Sequence, residues 1–351
     1  MREKLESSIR FPLLGLNVVS PQTLQPEGST VDCKNVRVFD SLESRSRGGM
    51  RPGLSKYCGT ALKSEAFRVQ DLNHATYVVD AAPDSTSINR RRVAAVGVSG
   101  GTVVKFDSSG INTASTSGNA VLSSSVPFMF SAELHGRLYY TDGISYKTWV
   151  GSNNTAIDWT PTAGSLPGTP GSNAARLIET WRSRIVFSGL RTDPHNWFMS
   201  ALGDPLDFDY TPDTPVETQA VEGGVGVVGK FGDVVNAMIP FNDDVLLFGC
   251  DHSIWQLNGD PELSGRIDLV SDQVGLAFGR PWCKDPFGNI YAYSTNGSVY
   301  RISAGEGSIV SLSDDRIAPR LTDVDLNTTI VRMAWDEAAK GFHLFFGTLN
   351  H

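Results

Sequence analysis

The chain has 351 residues, 40% of them hydrophobic and 19% charged, which is enough apolar content for a packed core and too much for a disordered chain. A net charge of −8 argues against a surface that grips nucleic acid by neutralising phosphates, though not against one that nucleic acid slides past. Glycine at 35 positions and proline at 18 punctuate the sequence at short intervals, as many short strands joined by tight turns require.

Residues 1–60 are rich in Ser, Pro and Gly, with alternation only at Asn35-Val36-Arg37-Val38-Phe39. They read as an extended N-terminal arm with one strand, reaching across the surface or to a neighbouring subunit. The apolar run Phe11-Pro12-Leu13-Leu14-Gly15-Leu16 is too short and too proline-broken to cross a membrane, and no small-residue cleavage site follows it. A soluble chain without membrane anchoring or a cleaved signal is expected. Cys33, Cys58, Cys250 and Cys283 lie far apart with no Cys-x-x-Cys, so isolated thiols in a reducing compartment are expected rather than a disulfide framework.

From residue 61 onward one pattern recurs: an apolar strand, a polar turn, an alternating strand, a second turn and a third strand carrying an aromatic. The first, weaker copy has Arg92–Val96 and Thr102–Phe106 about a Gly100-Gly101 turn. The clearest has Phe128–Phe130, the turn Leu134–Arg137, Leu138–Tyr140, the turn Thr141–Gly143 and Tyr146–Trp149. Arg176–Ile178, Ile185–Phe187 and Asn196–Met199 make a third copy, and Ala237–Ile239, Val245–Phe248 and Ile254–Leu257 a fourth. Pro281–Cys283, Ile290–Tyr293 and Val299–Ile302 make a fifth. A last copy, Val331–Trp335 and Phe342–Phe346, stops before its third strand.

Val93, Leu138, Ile185, Val245, Ile290 and Phe342 are then equivalent middle-strand positions, spaced by roughly 45–60 residues, the range of propeller blades. Each meander buries only one face and needs neighbours to close a core. The expected fold is therefore all-β: a β-propeller-like array of antiparallel meander blades over 61–351, with the arm at 1–60. A sandwich of unrelated hairpins would explain the turns, but not the recurring third-strand aromatics Phe106, Trp149, Trp197, Trp255 and Tyr300. The incomplete last unit leaves three readings: the arm closes it, another chain does, or the sequence is part of a longer one.

Several segments touch on catalytic or binding motifs. Gly224 to Gly229-Lys230 fits the start of a phosphate-binding loop, but Phe231 stands where a magnesium-holding hydroxyl belongs, so an inter-blade loop is expected. Asp251-His252-Ser253 names the members of a hydrolytic triad, yet adjacent residues on a strand point to opposite faces, and a turn is expected. Thr141-Asp142-Gly143 with Trp149 is close to a sialidase-type Asp-box with the spacing wrong, and that box is itself a structural turn. Asp204, Asp207 and Asp209 could hold calcium or act as an acid/base pair, though a solvated turn is the plainer reading. Arg90-Arg91-Arg92 and Arg45, Arg47 and Arg51 are basic points that could touch DNA or a subunit, and surface charge explains them as well. The six histidines show no ligand spacing. No catalytic, cofactor-binding or metal residue is assigned, no cofactor is expected, and the chain is not expected to be an enzyme.

The stretch Asp193-Pro194-His195-Asn196-Trp197-Phe198-Met199-Ser200, with Gly203-Asp204-Pro205 and Asp207-Phe208-Asp209-Tyr210, resembles tail proteins of short-tailed bacteriophages. These are the podovirus-type tail nozzle, or tail-tubular-protein-B-like, group. Asp251–Pro261, Gly265–Ser271, Gly15-Leu16-Asn17, Asn35-Val36-Arg37 and Arg47–Gly53 are similar to the same family. The resemblance implies a propeller-bearing virion subunit, six copies of which form a ring below the portal and adaptor. That ring continues the channel by which DNA leaves, without specific DNA binding, and tail fibre or needle proteins are further partners. Such a subunit is made in the bacterial host cytoplasm and ends in the virion tail. An acidic wall suits the role, since it would not stall DNA by counterion release. The loops Thr160–Asn173 and Thr211–Asp233 are long enough to meet neighbours. Two other readings stand beside this one: a lectin-like or receptor-binding propeller module, and a glycan-cleaving propeller enzyme needing convergent carboxylates or arginines at the ring mouth.

Overall fold

A computed structural model describes residues 12–37, 48–51, 69–79, 90–99, 102–107, 110–114, 128–150, 156–211, 216–224, 229–263, 265–303 and 308–348; between 69 and 114 it describes the backbone alone. Period-two alternation cut by turn formers favours strands over helices, and α1 (Ala318–Thr322) is the only α-helix among the described residues.

In the arm, β1 (Gly15–Leu16) pairs in parallel with β2 (Ser29–Thr30), and β3 (Val36–Arg37) runs antiparallel to β4 (Gly49–Met50). The arm lies against the segment around α1. The Val18 N–H donates to the Arg316 carbonyl at 2.8 Å, and Arg316 and Arg320 donate to the carbonyls of Leu14 and Val31.

Five four-stranded antiparallel sheets follow and form a five-bladed β-propeller. The first comprises β5 (Val69–Val79), β6 (Arg90–Ser99), β7 (Thr102–Asp107) and β8 (Gly110–Ala114). The second comprises β9 (Phe130–Leu134), β10 (Arg137–Thr141), β11 (Tyr146–Val150) and β12 (Ala156–Asp158). After β13 (Ala163–Gly164), the third is built from β14 (Leu177–Trp181), β15 (Arg184–Ser188), β16 (Trp197–Met199) and, following β17 (Asp207–Phe208), β18 (Val221–Glu222). The fourth comprises β19 (Val235–Pro240), β20 (Val245–Cys250), β21 (Ile254–Asn258) and β22 (Arg266–Ser271). After β23 (Gly279–Arg280), the fifth comprises β24 (Trp282–Lys284), β25 (Ile290–Tyr293), β26 (Val299–Ile302) and β27 (Ile309–Ser311). The hairpin β28 (Thr329–Asp336) and β29 (Gly341–Thr348) then joins β23 in a three-stranded sheet.

All six expected middle-strand positions fall on the second strand of their unit, from Val93 on β6 to Phe342 on β29. The third-strand aromatics also fall into place: Trp149 and Trp197 are buried, and Trp255 and Tyr300 are half-buried. The expected three-strand unit has a fourth, outer strand. That strand carries exposed apolar residues such as Ile157, Leu269 and Val310, so its alternation does not mark an inside.

Two hairpin turns show how the backbone accommodates the right-handed twist of paired strands. His135-Gly136 adopts φ of 53° and 74°, the positive pair of a type I′ turn. Arg182-Ser183 makes a similar turn with φ of 48° and 56° and no glycine at all, at a cost of roughly 1–2 kcal/mol per residue. The Arg182 guanidinium lies over the Trp181 ring and within 3.9 Å of both Asp244 and Asp260, which holds the turn in place.

The two long loops are tied into the structure. Thr160–Asn173 contributes β13, which pairs in parallel with β17, and buries Leu166. Trp159, just before it, donates its indole N–H to the Pro205 carbonyl and packs among Tyr139, Tyr146, Phe187 and Phe208. The described parts of Thr211–Asp233 are held by Arg184, fully buried on β15, which donates to the carbonyls of Ser200, Glu217 and Gln219. A buried guanidinium needs such acceptors, because an unpaired one would forfeit several kcal/mol of hydration, on the order of the cost of any buried lone charge.

Candidate functional site

The segments singled out in the sequence resolve into turns and clamps. Lys230 forms an ion pair with Asp193 at 2.6 Å, and Phe231 is buried against Phe248 and Trp255, so the would-be phosphate loop ends in core packing; residues 225–228 lie outside the described residues. Asp142 accepts the N–H groups of Ile144 and Ser145, which makes Thr141-Asp142-Gly143 an Asx-type turn. Asp204, Asp207 and Asp209 each accept the N–H two residues on, three successive turns of the same kind. Arg90, Arg91 and Arg92 lie on β6, Arg51 is exposed, and Arg45 and Arg47 fall outside the described residues.

Asp251-His252-Ser253 is the turn between β20 and β21, clamped from the side by Asp233. One Asp233 oxygen accepts the His252 N–H and the Ser253 hydroxyl, and the other accepts the Val234 N–H. Burial alone would raise the Asp233 carboxyl, but these donors hold it below the usual carboxylate range. Ligand-type atoms of Asp233, Asp251 and His252 lie within 4.8 Å of one another, a juxtaposition that no spacing in the sequence announced. Asp251 is engaged by Asn236 and the His252 side chain is largely exposed, so the group works as a turn clamp.

The inner strands meet around β23. Phe278, just before it, packs edge-on against Phe128 and Phe130, and Arg176 and Arg332 cap these rings at 5.0 and 5.2 Å. Gly279, at φ +104°, lets Phe130 approach to 2.8 Å of where a Cβ would lie. Arg280 and Arg332 are partners in the parallel β23–β28 pair, and they reach the backbone carbonyls of Ser131 and Met129. Two guanidinium groups thus serve the edge of β9 where no further strand pairs with it among the described residues.

The last strand, β29, ends its sheet, as the outer strand of each blade does. On one face of β29, Phe342 and Phe346 pack against Tyr291 and Tyr293 of the fifth blade. Its pairing is with β28 alone among the described residues, and Phe345 and Phe346 remain 54% and 44% exposed. Backbone donors and acceptors along such an edge can accept another strand.

No family model matches the chain, and no curated protein matches it. Among solved structures it is similar to the extracellular domain of the hybrid two component system BT4673 from B. thetaiotaomicron, at 10% identity and a TM-score of 0.38. That match covers 78% of this chain and 39% of that one, so the chain spans about two fifths of the structure it matches. It is also similar to U3-55K (16% identity, TM-score 0.35, covering 63% and 62%) and to apo AztD from Citrobacter koseri (12% identity, TM-score 0.34, covering 70% and 58%).

Proposed function

We propose that this chain is a structural subunit of an oligomeric assembly, a nozzle component in the virion tail of a short-tailed bacteriophage. The observation that carries the reading is the open edge of the sheet formed by β23, β28 and β29: among the described residues β29 pairs with β28 alone, and Phe345 and Phe346 are exposed. Another copy or a neighbouring tail protein extends this sheet by strand addition. The sequence resemblance over Asp193–Tyr210 and Asp251–Ser271 supports the same reading; in the structure these segments carry β16 and β17 and β21 and β22 with the turns beside them.

In this reading six copies form a ring below the portal and adaptor, tail fibre or needle proteins attach to it, and the chain acts without catalysis. DNA then passes, in this reading, through the ring that the copies form. Among the described residues no helix is long and apolar enough to cross a membrane. Assembly starts from chains made in the host cytoplasm. Electron microscopy of particles labelled on this chain tests the placement: label on the tail axis beneath the portal is expected, and label on lone peripheral spikes overturns it.

A further inference from the structure

A sheet edge with free backbone donors and acceptors pairs with other strands unless it is short, charged, broken by proline or bulged. Every blade of this chain ends in a strand guarded in one of these ways. β12 and β27 have three residues each and β18 has two. β22 carries Arg266 and Asp268, and the pairings of β22 and of β8 both shift register. β29 is the exception among the described residues. Its eight residues, Gly341–Thr348, pair with β28 without a register shift, and none is acidic, lysine, arginine or proline. His343 is its one titratable side chain, and Asp336 holds it at 3.0 Å. Phe345 and Phe346 stand exposed on this strand. With a net charge of −8 on the chain, copies repel one another least where the surfaces that meet are neutral.

We infer that in the free protein this edge binds the same edge of a second copy, β29 against β29, and that assembly exchanges this pairing for the final one. A partner strand has to be as long, regular and uncharged as β29 itself. Among the described residues only β29 meets that condition. The two strands run antiparallel about a twofold axis, which keeps like faces on one side, so the residue on the axis meets its own copy. With Phe345 on the axis, ring meets ring, and Leu344 lies opposite Phe346 of the second copy; such cross-strand pairs are what stabilise a sheet. His343 then faces Gly347, and no like charges oppose each other. Eight residues of edge bury less than a standard interface of roughly 1,200–2,000 Å², so the pair is weak and exchangeable. This inference rests on the reading of β29 as an edge that accepts a strand, and it names what occupies that edge before assembly.

Sedimentation velocity on the full chain, from roughly 1 µM to roughly 500 µM, tests it. A monomer–dimer equilibrium is expected, with a dissociation constant on the order of 10–100 µM, weaker than the micromolar limit of standard interfaces. Phe345→Lys and Phe345→Glu each set like charges opposite one another across the axis and should weaken the dimer about tenfold or more. Mixed in equal amounts at low salt, the two variants should pair again, because opposite charges then face each other. A substitution that merely disturbs the strand gives no such recovery, and both variants are checked for native melting. A wild-type chain that stays monomeric, a dimer of unchanged strength in either folded variant, or no recovery on mixing overturns the inference. The two readings fail separately: a monomeric free chain leaves strand addition in the particle standing, whereas an edge bare in the particle removes that reading and leaves the dimer.

Discussion

Arg280 on β23 and Glu179 on β14, 101 residues apart in the chain, meet with the guanidinium Nε 2.6 Å from a carboxylate oxygen. Side-chain exposures of 23% and 14% put the pair mostly out of water. The same arginine reaches the Ser131 carbonyl, so one side chain ties β23 to both β9 and β14.

Removing either partner leaves the other largely buried without its opposite charge. Arg280→Met and Glu179→Gln are each expected to cost about 2–3 kcal/mol, toward the lower end of values for breaking buried pairs because the site is partly open. The double variant should cost less than the sum of the two. A thermodynamic cycle by urea unfolding checks this, and strict additivity would show that the pair is not coupled.

Arg184 is a second such anchor, but it works through carbonyls alone. Arg184→Met should cost about 3 kcal/mol or more, because the acceptors at Ser200, Glu217 and Gln219 lose their donor together. The first visible effect should be faster proteolytic nicking within 211–233, measured by limited digestion and mass spectrometry. Cleavage there at the wild-type rate would show that the loop is held by something else.

The propeller was legible because its signals are local. Turn formers and apolar second strands recur along the chain and a third-strand aromatic recurs in the five blades, and these strands fall where the reading placed them. What binds the units to one another was not legible. Arg280 with Glu179 and Arg332 with the Met129 carbonyl join residues whose spacing carries no pattern. The outer strands were missed for another reason: β18 has two residues and reaches its sheet only after the long loop from β16.

Acid should weaken the fold through its turn-clamping carboxylates. Burial alone would raise the Asp285 carboxyl, but donors from Asn289, Phe287 and Tyr291 hold it low, as the donors at Asp233 do there. A folded value below the unfolded one, about 3.9, means this stability is fully present above that pH and is lost as pH falls through the folded value. Unfolding midpoints between about pH 5 and pH 2 should therefore fall more steeply in the wild type than in Asp285→Asn. Equal slopes would remove Asp285 from the account.

Thiol chemistry gives an independent check on the packing. Burial pushes the Cys250 and Cys283 thiols up to about 12, so neither offers thiolate at neutral pH. Of the three described cysteines, Cys33 alone is partly exposed and should be alkylated first in the native protein. Peptide mapping after brief iodoacetamide treatment reads this directly, and early labelling of Cys250 would contradict the packed fourth blade.

The central claim is that another chain adds a strand to the open edge of β29. A cryo-EM map of the assembled particle, read along Gly341–Thr348, tests it most directly. The account predicts a strand from a neighbouring chain hydrogen-bonded to the free edge of β29, with Phe345 and Phe346 covered, repeated around a ring of copies. An assembled particle in which that edge faces solvent in every copy would contradict it.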